Sequence, residues 1–333
     1  MSTLYITRPD AHLHKVNERL QVRAGNAVIL DVPLIKISNV AVIGRTTISG
    51  ATIAMLLKHQ IPVCYVSSHG EYLGQLLPEC TAHVALRREQ YAQSADETKA
   101  LCIAREIVVG KLTNLKTLLR RRGRQKKTSE FDAAAERLNA AIRKAQTAET
   151  LDKARGCEGD GSAAYFGAFA NLLTAPKITF EKRIRRPPTD PVNALLSFGY
   201  TLLTADLIAA AHFVGFDPYV GFLHADRYGR ASLALDLMEE FRPVIVDMLV
   251  LNCLNKKIIT SADFEQTKDK PCRLTDEARK TFLAQYEERK TTEVTHPIVR
   301  EKMTYLRCFE EQARLLAKTL TGDAERYQPF LLP

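Results

Sequence analysis

The chain has 333 residues, 46% hydrophobic and 26% charged, which excludes a disulfide or metal miniature scaffold, a fibrous repeat and wholesale disorder. Lysine and arginine number 47 against 38 aspartate and glutamate, a net charge of +9 that favours a polyanionic partner. At about 100 to 200 residues per domain, the length predicts two domains.

From the start of the chain, short β-branched runs alternate with turn signals. Leu4 to Thr7, Arg19 to Arg23, Ala27 to Leu30, Leu34 to Ile37 and Val40 to Ile43 read as strands, separated by Arg8-Pro9-Asp10 and Gly25-Asn26. His12 and His14 would share one face of a strand and read as surface residues. Ser49 can cap a helix with Ile53, Leu56 and Leu57 on its apolar stripe, and strands Val63 to Val66 and Tyr72 to Leu77 follow. Beyond Pro78 a 3.6-residue periodicity takes over almost to the end of the chain. The predicted fold is α+β: a β-rich, β-sandwich-like domain over 1–85, a linker over 86–98, and a larger all-α domain over 99–333. Asp190 before Pro191 is a clean helix start.

The apolar stretch Val192 to Ala205 is short for a membrane span and carries Asn193, Ser197, Thr201 and Thr204, so it reads as a buried helix. Seven cysteines, an odd number without a close pair, read as reduced thiols. With no basic and apolar leader in MSTLYITRPD, a cytoplasmic location is expected.

Residues 1–98 carry a net charge of +1, residues 99–127 carry +9, and residues 128–333 carry −1. The excess therefore sits in one helix-like segment. Leu101, Val108, Leu112, Leu115 and Leu119 can face a core there, while Lys111, Lys116, Arg120, Arg121, Arg122, Arg124, Lys126 and Lys127 can project to solvent. Such a face suits a nucleic-acid backbone, because each phosphate neutralised releases counterions. A merely solvated basic face is the alternative. A second cluster of Lys177, Lys182, Arg183, Arg185 and Arg186 favours nucleic acid.

Two segments can carry chemistry. In Arg155-Gly156-Cys157-Glu158-Gly159-Asp160-Gly161-Ser162 an acid stands among glycines directly before a predicted helix, either as a cap or as a carboxylate held ionised by the helix dipole. In the second, Asp217-Pro218-Tyr219-Val220-Gly221-Phe222-Leu223-His224 ends on a histidine. Ser232 then opens a helix on which Asp236 and Glu239 share a face with apolar side chains, an awkward place for two acids unless a cation sits there. His224 can be structural or a ligand.

EGDGSAAYF, DPYVGFLH and GRASLALDLMEEFRP together resemble the signatures of the CRISPR-associated integrase, the endonuclease subunit (the Cas one family) of the spacer-acquisition complex. The resemblance runs from the LYIT strand through IPVCYVSSHGEYLGQL, KLTNLKTLLRR and THPIVREKMTYLR to the closing YQPF. It implies an N-terminal β domain joined to a helical catalytic domain. It further implies metal ligands at Glu158, His224 and Glu239, with Asp236 as an auxiliary acid and Glu240 as a competitor for the third place. Gly161 and Ser162 stand where the family has small alanines, which predicts a looser helix start.

Two carboxylates and an imidazole suit a magnesium or manganese ion, which would polarise a phosphodiester. The implied activity is a divalent-metal-dependent DNA endonuclease and integrase in antiviral defence, joining a 3′-hydroxyl of spacer DNA to the CRISPR array by transesterification. Arg230, Arg242 and the basic clusters would position phosphates. Implied partners are double-stranded DNA (spacer precursor and array), a second copy in a homodimer, and the small second protein of the adaptation complex (Cas two). A non-catalytic DNA-binding scaffold and a purely degradative metal nuclease are the rival readings.

Overall fold

The computed structural model describes residues 2–332 except 69, 80–82, 124–128, 186 and 266–270. The chain divides into two compact units, Met1–Thr81 and Ala82–Pro333.

The first unit holds two four-stranded sheets. One runs β1 (Ser2–Ile6), β5 (Ile37–Ile43), β7 (Val63–Val66), β8 (Tyr72–Leu76), with β1, β5 and β7 mutually parallel and β8 antiparallel. The other runs β4 (Ala27–Pro33), β3 (Arg19–Ala24), β2 (Ala11–Val16), β6 (Thr47–Ile48), built on two hairpins. Parallel neighbours need a crossover, and helix α1 (Gly50–Lys58) supplies it between β5 and β7. Ser49 caps α1, its hydroxyl accepting from the Thr52 amide. Ile6, Leu13, Leu20, Val22, Val40, Val42, Leu56 and Val63 form one core drawn from both sheets and the helix. One predicted strand is corrected: Leu34–Lys36 is a 3-10 turn after Pro33, and β5 begins only at Ile37. At the outer edge, β4 exposes Val28, Ile29 and Leu30, and a register shift opposite Val22 and Arg23 leaves Ile29 without a partner in the ladder.

The second unit contains α2 (Val84–Ala95), α3 (Glu97–Gly123), α4 (Ser129–Gln146), α5 (Leu151–Phe169), α6 (Pro191–Val214), α7 (Ser232–Phe241), α8 (Met248–Asn255), α9 (Asp276–Thr291) and α10 (Tyr305–Thr321). Residues 86–98, expected as a linker, lie in α2 and the first turn of α3. Their polar composition disguised a helix that buries Leu86 and Gln90. Two short ribbons interrupt the helices: β9 (Phe264–Glu265) with β10 (Arg273–Leu274), and β11 (Glu293–Thr295) with β12 (Lys302–Thr304).

Helix α6 begins as its sequence signals. The Asp190 carboxylate accepts from the Asn193 amide at 2.9 Å and Pro191 takes the first helical position. It is long and apolar enough to cross a membrane, yet 78% of that stretch is buried inside the unit. Helix α3 packs against α4, α5 and α7. Between α7 and α8 the chain forms a π-helical segment, Arg242–Asp247. Pro243 lacks the N–H that would continue the α ladder of α7, which accounts for the widened turn. Arg289 donates to the carbonyl of Val244 within it, at 2.7 and 3.1 Å.

The last residues are stitched to the helices on either side of the site. Asn114 donates to the carbonyls of Glu240 and Phe330, both at 2.8 Å, and accepts from the Leu332 amide at 2.8 Å. Gly110 has no room for a side chain, since a Cβ there would stand 2.4 Å from Pro329.

Candidate active site

Three elements bring their polar side chains to one point. Helix α5 carries Glu158, the loop after α6 carries His224, and α7 carries Asp236 and Glu239.

Glu158 stands in the middle of α5, not ahead of a helix. The N-cap is Thr150, whose hydroxyl accepts from the Lys153 amide at 3.2 Å. Of the glycines that read as a break, Gly161 serves packing, since a Cβ on it would lie 2.4 Å from Leu112 of α3, whereas Gly156 and Gly159 have open space where a Cβ would stand. Ser162 is no sign of looseness either, because its hydroxyl donates to Glu158 Oε1 at 2.8 Å. The dipole argument for Glu158 therefore fails, and a different cation holds it ionised. Lys111, expected on the solvent face of the basic helix, is only 5% exposed and contacts Glu158 Oε1. Burial by itself would raise the Glu158 carboxyl; Lys111 and the Ser162 hydroxyl outweigh it, and the net displacement is downward.

The same ammonium lies 2.6 Å from Glu239 Oε2, an ion pair more than a well-directed hydrogen bond. Arg242 Nε approaches Glu239 Oε1 at 3.2 Å, and His224 Nε2 stands 3.7 Å from the same oxygen. Burial pushes Glu239 up, but Arg242, Lys111 and His224 together hold it at about 2. Arg242 is thus a buried counter-ion, stacked 4.6 Å from the Tyr200 ring centroid, and not an exposed phosphate contact.

Asp236 is fully buried and organises the loop. Its carboxylate accepts from the amides of Phe222, Leu223 and His224 at 2.6, 3.0 and 3.0 Å, and from His224 Nδ1 at 2.6 Å. With Asp236 on Nδ1, the ring is held with Nε2 turned toward Glu239. Gly221 permits this closeness, since a Cβ would meet Asp236 Oδ2 at 2.8 Å and the Ser232 backbone at 2.9 Å. Residues the sequence reading missed steady the same loop: Gln90 donates to the carbonyls of Asp217 and Val220 at 2.7 and 2.8 Å, and Arg155 to that of Leu223 at 2.7 Å. No local pattern in the sequence singles out either one.

Glu240 points elsewhere. It accepts from Gln312, Tyr327 and the Phe330 amide at 2.5 to 3.2 Å; burial pushes it up to about 7 against the pull of those donors. The competitor for the third ligand position is therefore a structural anchor of the C-terminal segment.

Donor chemistry at the centre fits a hard divalent cation, since two carboxylates and an imidazole are the side chains gathered there. Lys111 now stands between the carboxylates, and among the described residues no three acidic, histidine or cysteine side chains stand at metal-binding spacing. A cavity of about 410 Å³ opens beside them, lined by Glu158, Ser162, Lys182, Arg183, Tyr200 and Arg242 among others. On its wall Tyr200 donates to Asp247 at 2.5 Å.

The remaining basic residues divide. Arg120 and Arg121 are exposed at the end of α3, whereas Arg122 donates to Asn252 at 2.6 Å and Lys116 to Asn139 at 3.0 Å. Arg183 is half-buried and spends its donors on Ile184, Asn193 and Ser197. Arg230 is half-buried at the end of the loop after His224. Arg124 and Arg186, with Lys126 and Lys127, lie outside the described residues.

Residues 4–288 match the family model of CRISPR associated protein Cas1. The chain is 36% identical over 337 residues to a CRISPR-associated endonuclease Cas1 of Chlorobaculum tepidum, covering 99% of this chain and 98% of that protein. It is 38% identical to a Cas4 exonuclease/Cas1 endonuclease fusion of Geobacter sulfurreducens, of which it spans 60%. A Cas1 structure from Thermotoga maritima superposes with a TM-score of 0.83 at 25% identity, over 97% of both chains. A casposase bound to its integration product has the same fold, with a TM-score of 0.87 at 24% identity over 98% of this chain and 93% of that one. With the family model covering most of its length and a relative above 30% identity along nearly all of it, the chain belongs to the Cas1 family of CRISPR-associated proteins.

Proposed function

We propose that this protein is a divalent-metal-dependent DNA endonuclease and integrase of CRISPR adaptation, working in a prokaryotic cytoplasm. The observation that carries the reading is the approach of Glu158 and Glu239, from two helices, to one ammonium, with His224 Nε2 from a third element 3.7 Å from Glu239, beside a basic cavity.

Glu158, His224 Nε2 and Glu239 would hold a magnesium or manganese ion, which supplies Lewis-acid polarisation of a phosphodiester. Asp236 keeps the His224 ring oriented through Nδ1. Arg242 keeps Glu239 ionised in a buried setting, and Lys182 and Arg185, exposed on the cavity rim, attract the phosphate backbone without base readout. A 3′-hydroxyl oxygen of incoming DNA attacks phosphorus, the bond to the target strand's 3′-oxygen breaks, and that oxygen takes up a proton. With water as nucleophile the same exchange is hydrolysis. Neither step needs a bond to the protein.

Partners follow from the family and from the surface. A solved relative is a Cas6-RT-Cas1–Cas2 complex, 27% identical to this chain, which spans 36% of its length with a TM-score of 0.82. That supports a Cas2-type partner here. The exposed apolar edge of β4 supports association with a second copy.

Joining of a labelled duplex bearing free 3′-hydroxyls to a supercoiled plasmid carrying CRISPR repeats, in magnesium or manganese, tests the reading. E158Q, H224A and E239Q should each retain the fold by circular dichroism and lose joining by about 100-fold or more. Joining at wild-type rate by the folded variants would leave only a DNA-binding scaffold. Nicking without joined product by the wild type would leave a degradative nuclease.

A further inference from the structure

Lys111 is the one basic side chain of α3 turned fully into the helical unit. It is 5% exposed, touches Glu158 and stands 2.6 Å from Glu239. The backbone that carries it cannot give way, because Gly110 lies against Pro329 and neighbouring Leu112 lies against Gly161. Any movement of its charge must come from the side chain. Four rotatable stem bonds allow that, and Lys111 also lines the 410 Å³ cavity with Lys182 and Arg183.

The charge balance is unfavourable for two cations at once. Glu158 and Glu239 contribute two negative charges, which Lys111 and Arg242 neutralise. A divalent ion between the same carboxylates would lie within a few ångströms of the ammonium, and its double positive charge would repel the Lys111 charge twice as strongly as a second ammonium would. Arg242 is pinned by its stacking on Tyr200. Lys111 has the cavity to enter.

We propose that Lys111 is the resident counter-ion of the metal-free centre, and that a divalent ion expels its ammonium into the adjoining cavity, where it meets a DNA phosphate. The inference rests on the metal reading above. It makes loading of the centre and completion of the phosphate site one event: before loading, Lys111 screens the two acids from each other; afterwards it adds a positive charge where the substrate lies.

The test uses the wild-type chain, acetylated at low reagent dose with and without saturating manganese and mapped by mass spectrometry, with exposed Lys144 as the internal standard. Labelling of Lys111 relative to Lys144 should rise about fivefold or more with manganese, as its outward population grows. A parallel spin-resonance titration of manganese should show a site that E158Q abolishes. If no such site exists, the metal reading fails and this inference with it. If the site exists and Lys111 labelling does not change, the displacement alone is wrong. K111M gives a second measure, since an uncharged stem has nothing to expel. Its manganese affinity should be about tenfold tighter or more, and equal or weaker binding would overturn the proposal.

Discussion

His224 Nδ1 lies 2.6 Å from Asp236 Oδ1, and the same carboxylate gathers the amides of Phe222, Leu223 and His224. One buried acid therefore sets both the ring's orientation and the shape of the loop that delivers it. Replacing Asp236 by asparagine removes a charged acceptor and turns one oxygen into a donor facing amides that also donate. D236N should cut metal-dependent joining by about 10 to 100-fold. Manganese affinity measured alongside should fall with it, whereas activity within threefold of wild type would make the contact incidental.

At the end of α3, Arg120 and Arg121 are free to meet a DNA backbone. R120E/R121E should weaken duplex binding and make the slope of log affinity against log salt shallower by about two. An unchanged slope would mean a basic face that only faces water.

Strand β4 presents Val28, Ile29 and Leu30 at 41 to 49% exposure on a sheet edge. V28D/L30D should shift the protein from dimer to monomer in light scattering without lowering its melting temperature, because these side chains contribute little to the core of their own unit. A monomeric wild type would remove the basis for the second copy.

Asp247 is fully buried, and burial pushes it up to about 6, against the pull of Tyr200, Tyr165 and Arg242. Its folded value exceeds the ordinary aspartate value of 3.8, so the folded state holds the proton more tightly than the unfolded chain. The resulting stabilisation is complete below about pH 4 and is lost as pH rises through 6. Relative to D247N, wild type should lose on the order of 3 kcal/mol across that window. Urea denaturation at pH 4, 5, 6 and 7 measures the difference, and a constant gap would show that Asp247 is ionised throughout.

Local chemistry was legible wherever it was local in cause. Ser49 before α1 and Asp190-Pro191 before α6 cap as their side chains require. The motifs single out Glu158, His224 and Glu239, but the approach of these side chains to one another comes from three separate elements and is read only in the fold. What failed was tertiary. Gly156, Gly159 and Gly161 read as a helix break, yet α5 runs through them because α3 packs against Gly161. Lys111 read as solvent-facing because helical spacing treats every lysine alike; only the fold shows two acids waiting for it. Gln90 and Arg155 act on backbone carbonyls more than 60 residues away, which no spacing rule connects.

The π-helical turn at Arg242–Asp247 also bears on how this chain is compared with others. A wide turn adds a residue to the helical repeat, so side chains of α8 are rotated in phase from where α7 would have carried them. Without the wide turn, Glu239 would stay in place while Asp247 turned away from Tyr200. A gap-free alignment across this stretch can thus match every letter of one helix and mispair the next, and deletion of a single residue between Pro243 and Val246 would reproduce that slip in the laboratory.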